Sequence, residues 1–215
     1  TSVSTTNTDI KVQELINVSV VSQNAANVTV SSPDTVVVMR FDITNTGNGD
    51  ESFIVSQANV SGDSFDATLG TVYLDDGDGV FEPGTDDIAY DNNAPVSIQP
   101  DQARTVWATA DIPANQKDAD FSDVQLSVLS KTFSDAGNTN PQAGDTVAGQ
   151  GTSATDAVAG TSQAREIETA RYLVTAIEVT ISKAVEAVRD NLGQNGNKPV
   201  PGAEVDYLIT VNVSG

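Results

Sequence analysis

The segment Asp75-Asp76-Gly77-Asp78-Gly79-Val80-Phe81-Glu82-Pro83-Gly84-Thr85-Asp86-Asp87 packs six acids into one short stretch. Calcium takes about six to eight hard oxygen ligands, and alternate carboxylates on a glycine-permitted turn can wrap such an ion. Aligned on Asp78-Gly79, Asp76 falls two residues earlier, as the D-x-D-G spacing needs, but the first ligand position falls on Leu74, which cannot ligate. The loop is therefore one residue short, and Asp75 serves only if the backbone adjusts. Glu82, Asp86 and Asp87 would close the shell. The expectation is a calcium site built from Asp75, Asp76, Asp78, Glu82, Asp86 and Asp87, in the weak affinity class of extracellular modules. Magnesium fits less well, because it tolerates irregular cages poorly. The same residues also describe an acidic, solvated hairpin loop with no ion.

Other chemistry is scarce. The chain has no cysteine and no histidine, which removes thiol nucleophiles, disulfides, imidazole bases and His- or Cys-ligated metals. Paired acids invite a glycosidase reading. The sequence supplies neither a base nor a set of aromatic sugar platforms, however, and Trp107, the only tryptophan, alternates within a strand as a core residue does. An enzyme is not expected. Four N-x-[ST] sequons stand at Asn17, Asn27, Asn59 and Asn212, each with Val in the middle. They read as glycosylation acceptors on an exported protein, or as outward polar residues alternating with inward Val.

The elements that would hold these residues follow from composition. Acids number 30 against 10 bases, for a net charge of −20, which argues against a nucleic-acid partner. No apolar run approaches the ~18 residues of a transmembrane helix. Val and Thr suit pleated strands, and Asn, Asp and Gly suit tight turns. The expectation is an all-β, immunoglobulin-like sandwich. The polar stretch 1–9 reads as a flexible arm. Alternation runs from Ile10 through Val12, Leu15, Ile16, Val18 and Val20, with a slip near Leu15 that suggests a bulge. Strands are expected at 27–30, 35–44, 51–58, 68–74, 88–90, 96–98, 104–110 and 124–130, with a strong turn signal at 45–50. The sandwich would thus occupy 10–134, and the Gly/Ala/Thr-rich stretch 135–165 reads as a loop or linker marking a boundary. Residues 166–215 contain two or three strands, too few for a sandwich.

Three segments together resemble repeat modules of bacterial cell-surface proteins. Phe41-Asp42-Ile43-Thr44-Asn45-Thr46-Gly47-Asn48-Gly49 is similar to their F-x-[IV]-T-N-T-G-N turn. Thr71 to Val80 and Asp111-Ile112-Pro113-Ala114 follow in the order found there. Ile181-Ser182-Lys183, Pro199-Val200-Pro201-Gly202 and Tyr207 to Asn212 look like the opening strands of a second module. The resemblance covers most of 35–130 and 178–213. It implies immunoglobulin-like sandwiches on exported surface or matrix proteins without enzymatic activity. Separately, no charged-then-apolar signal precedes the polar arm, so the protein is either cytosolic or, the preferred expectation, exported with its signal peptide already removed. The sequence departs from the pattern by stopping at Gly215, leaving an incomplete second β element.

An unfinished sheet exposes backbone groups and an apolar face, and β-strand addition between subunits would satisfy both. The expected role is a structural subunit of an extracellular, pilus-like or matrix filament, a head-to-tail homopolymer that calcium stabilises. Candidate donors are Ile10, Val12, Leu15, Ile16, Val18 and Val20 at one end and Val205, Tyr207, Ile209 and Val211 at the other. The competing readings are a non-polymerising stalk or adhesin module of a larger surface protein, and a single enlarged sandwich. Charge is uneven: residues 1–160 carry 23 acids and 5 bases, whereas 161–215 carry 7 and 5.

Overall fold

The computed structural model describes residues 11–24, 26–189 and 200–214. The expected arm at 1–9, Ile10 and most of the 191–201 loop lie outside the described residues. Two five-stranded sheets face each other. One runs in the order β2 (Val18–Ser22), β4 (Asp34–Asn45), β9 (Ala103–Ile112), β6 (Thr68–Leu74) and β7 (Ile88–Ala89). The other runs β3 (Asn27–Val30), β13 (Arg165–Val174), β10 (Phe121–Ser130), β5 (Glu51–Asn59) and β8 (Ser97–Ile98). The orders β2-β4-β9-β6 and β13-β10-β5 reproduce the ABED and GFC sheets of the immunoglobulin fold. The first strand also switches sheets, since β3 pairs parallel with β13 over Asn27–Val30.

Period-two alternation explains the core. Met39, Phe41 and Ile43 on β4 meet Phe53 and Val55 on β5, and Val124, Leu126 and Val128 on β10, all buried. Each such side chain contributes about 1.5–3 kcal/mol on leaving water. The polar residues between them face out, which is why short strands with few aromatics suffice.

Two expectations need correction. The slip near Leu15 is not a bulge: Glu14, Ile16, Val18 and Val20 keep one inward phase, and Leu15 is the apolar residue that points out. Glu14 can face inward because its carboxylate accepts hydrogen bonds from the Thr152 amide and hydroxyl. The second correction concerns the boundary at 135–165. That stretch, with residues 166–174, belongs to the sandwich, because β13 pairs with β10 from Phe121↔Leu173 to Leu129↔Arg165. Between those two strands lie α1 (Lys131–Asp135), β11 (Thr146–Val147) and β12 (Ala157–Ala159). β12 pairs parallel with β1 (Glu14–Ile16). Ile16, Phe133, Ala157, Ala159 and Ala164 form a second small core there. The stretch resembles a linker because its core is mostly alanine, and because its pairing partner lies more than a hundred residues away.

After Ala176, whose N–H still bonds Asp118 and whose side chain packs on the core, the chain leaves the sandwich. β14 (Glu178–Arg189) and β15 (Glu204–Ser214) form an antiparallel ribbon, and among the described residues they pair with each other alone.

Candidate functional site

The acidic loop follows β6 and returns through β7, so both its ends are held by one sheet edge. Asp75, Asp76 and Asp87 bring carboxylate oxygens within 4.8 Å of one another. Asp75, which would have to stand in for the missing first ligand, is 8% exposed: one oxygen accepts from Trp107 Nε1 at 3.0 Å, the other from the Gly77 and Gly79 amides. Gly77 and Gly79 have φ of 116° and 76°, so glycine is what allows the loop to fold its amides back onto Asp75. Asp87, 1% exposed, accepts from the Asp76 and Glu82 amides.

At an effective dielectric of ~20, two carboxylates this close repel by about 3 kcal/mol. Five N–H donors oppose that, each worth roughly 1.5–3 kcal/mol to a charged acceptor. The donors win, so Asp75 and Asp87 stay together without a cation and still present converging oxygens to one. Arg40 stands close by, 5.6 Å over the Trp107 ring, and lines with Asp75, Asp78 and Arg104 a cavity of ≈ 360 Å³.

The remaining expected ligands stand apart from this trio. Asp78 turns one oxygen to the Val80 amide, and Asp86 is exposed. Glu82 is also exposed, and its carboxyl is raised above the ordinary range by desolvation and then by the charges of Asp78 and Asp86. Sequence reasoning missed the part Trp107 plays. The indole is core-like by burial, yet its N–H braces Asp75; its position opposite Tyr73 in the β6–β9 register is the signal that carries this.

Two buried acids also escaped the sequence reading. Glu51, on β5, is 4% exposed and accepts from the Ser52 and Thr132 amides. Burial pushes its carboxyl up, and it borders a cavity of ≈ 590 Å³ shared with Asp50, Lys131 and Asp135. Its counterpart is Glu14, described above. Nothing in an alternating strand pattern distinguishes an inward acid from an outward one.

The candidate donor residues divide sharply. Ile16, Val18 and Val20 are buried in the chain's own cores, while Val12 and Leu15 are exposed. Tyr207, Ile209 and Val211 are exposed on the ribbon, and Val205 is half-buried. Pairs Val179↔Val213, Ile181↔Val211, Lys183↔Ile209 and Val185↔Tyr207 lie on one face, and a bulge between Val185 and Ala187 returns Val188↔Val205 to that face. Nine of these ten side chains are apolar; the tenth, Lys183, sets its Nζ 3.6 Å over the Tyr207 ring. The opposite face is more polar, with Thr180, Ser182, Thr210 and Asn212, though it also carries Ala184 paired with an exposed Leu208.

The sequons divide too. Asn17 is engaged through both amide atoms, with Ser162 and Thr46, and Asn59 donates to Ala67. Asn27 and Asn212 are exposed. No described helix is long and apolar enough to cross a membrane.

No protein-family model and no curated protein matches the chain. Among solved structures, the native α2-macroglobulin of Escherichia coli from domain MG7 to the C-terminus is similar over 80% of this chain and 19% of its own, with 12% identity and a TM-score of 0.38. A Salmonella α2-macroglobulin mutant is similar over 79% of this chain and 8% of its own, at 10% identity and a TM-score of 0.35. A family 123 glycoside hydrolase from Clostridium perfringens covers 74% of this chain and 27% of its own, at 11% identity and a TM-score of 0.33. The chain thus spans about a fifth of the first of these, and its immunoglobulin-like character stands on its own strand order.

Proposed function

We propose that this chain is a non-catalytic structural subunit of an extracellular assembly, joined to another copy of itself through the β14–β15 ribbon. One observation carries the reading: a two-stranded ribbon whose largely apolar face, broken only by Lys183, is exposed to water. Ile181 is 70% exposed, Ile209 61% and Val213 66%. Two strands alone are marginal in water, and a covered face or further strands stabilise them. If the ribbon adds to the sandwich of the next copy, the joint is head-to-tail and grows a filament; if it meets its own kind, the joint closes. Calcium at Asp75, Asp76 and Asp87 would stiffen the loop beside β6 and β7.

The test is sedimentation and electron microscopy of the full chain beside Val211→Asp, which places a charge on the apolar face without touching the sandwich. Concentration-dependent assembly lost in the variant is expected. A wild-type chain that stays monomeric at millimolar concentration would refute the reading.

A second reading has its own observation. The ribbon's one-faced pattern also suits the opening pair of strands of another sandwich, whose remaining strands would cover it within a longer surface protein. A longer polypeptide that buries Ile181 and Ile209 intramolecularly would establish that stalk or adhesin role.

A further inference from the structure

This inference rests on the reading that copies join through the ribbon, and concerns which part of the second copy the ribbon meets. Two edges of the sandwich are partly capped by side chains: the stretch of β5 beyond its short pairing with β8, and β2. On β5, the Asn92 side-chain amide both accepts from the Val55 N–H and donates to the Val55 carbonyl, each at 2.8 Å. Tyr90 Oη donates to the neighbouring Phe53 carbonyl at 2.7 Å. On β2, Ser162 Oγ accepts from Val18 N–H and Glu168 from Ser22 N–H. An incoming strand would have to break these contacts before making its own.

The ribbon has no such cover: among the described residues, neither β14 nor β15 has a second neighbouring strand. Charge points the same way. Residues 1–174 carry 25 acids and 7 bases, net −18, whereas 175–215 carry 5 and 3, net −2. Seating a ribbon on another copy's sandwich sets −2 against −18, a charge product of 36; ribbon against ribbon gives 4. At equal distance the repulsion is about ninefold smaller.

We infer that the ribbon's partner is the same ribbon of a second copy, apolar face against apolar face about a two-fold axis, giving a closed four-stranded joint and a dimer. Strands of twelve and eleven residues at ~3.3 Å per residue and ~4.8 Å spacing present a flat footprint of roughly 350 Å². That is below the ~800 Å² per partner of a standard interface, so the dimer is weak, micromolar or looser. It strengthens with salt, which screens the bodies.

The chain has no cysteine, so single cysteines report without background. In the full chain, Ile209→Cys lies near the centre of the apolar face and Thr210→Cys on the opposite face. Under mild oxidation, Ile209→Cys is expected to form disulfide dimers at least tenfold faster than Thr210→Cys, with higher yield in 0.5 M than in 0.02 M NaCl. Sedimentation should stop at the dimer. Equal cross-linking of the two variants, or open-ended growth, would overturn the face-to-face joint while leaving self-assembly intact. Absence of any association at both salt concentrations would overturn both.

Discussion

Replacing Asn92 by alanine is the most direct perturbation of how the sandwich closes its own edge. Val55 is 3% exposed and stands opposite Val128 in β10, yet its N–H and carbonyl point away from β10 and are met only by the Asn92 amide. Asn92 itself is exposed, so truncation removes little packing. The cost is therefore that of two backbone groups left without partners, about 1–3 kcal/mol each and partly relieved by water, or roughly 3 kcal/mol in sum. For a chain of this size that lowers Tm by about 6–12 °C. Urea unfolding should show a lower midpoint at unchanged slope, since the surface exposed on unfolding is the same. Asn92→Asp adds a sign check. It keeps the acceptor for Val55 N–H but turns a carboxylate oxygen toward the Val55 carbonyl, so only its protonated form can donate. Its folded pKa is then raised above the ordinary ~3.9. The stability of this variant is present below that value and lost as pH rises through the folded pKa. A loss under about 0.5 kcal/mol for Asn92→Ala would mean that water serves Val55 equally well, and the closed-edge argument would fall with it.

Three further outcomes are expected. Millimolar calcium should raise Tm relative to chelator by about 3–6 °C, the effect of roughly 1.4 kcal/mol from an ion at ten times its dissociation constant, and Asp87→Asn should abolish the difference. Equal melting with and without chelator would reject a bound structural ion. Burial raises the Glu51 carboxyl above its ordinary 4.5, so the stability it confers is full below that value and declines as pH rises through the folded pKa. Glu51→Gln should therefore be the more stable protein at pH 7 and lose that advantage near pH 4 in paired urea titrations. Val36 has φ of 53° and is 57% exposed, a left-handed conformation poorly suited to a β-branched side chain. Val36→Asn should gain about 1 kcal/mol in calorimetry, and an unchanged or lower Tm would show that the surroundings do not strain the valine.

What could be read from the residues, and what could not, follows from range. Strand positions from Asn27 to Ser130 were legible because alternation and turn chemistry act over a few residues, as at the Asn45–Asp50 turn. The insert between β10 and β13 was not. Its strands pair with Glu14–Ile16, far off in sequence, and its alanines give no periodic apolar signal. Glu166 to Val174 was assigned to the wrong side of a boundary for the same reason: its alternation marks a strand but cannot name the sheet. In the acidic loop, residue types and spacing pointed to six acids without separating Asp75, Asp76 and Asp87, which converge, from Asp78, Glu82 and Asp86. The amide donors and Trp107 that hold them arise from backbone folding and cross-strand register. Val185 and Val188, three residues apart, fit helix or strand in the sequence; the bulge resolves them onto one face.

The parallel pairing of β3 with β13 has a mechanical consequence. These strands come from near opposite ends of the sandwich's sequence, so tension applied along the chain draws them past each other along their length. The Asn27–Val30 ladder is then loaded in shear, with its bonds sharing the force at once, rather than peeled open one bond at a time. A part linked to neighbours at its ends would on this geometry resist stretching most strongly along the line of its own chain.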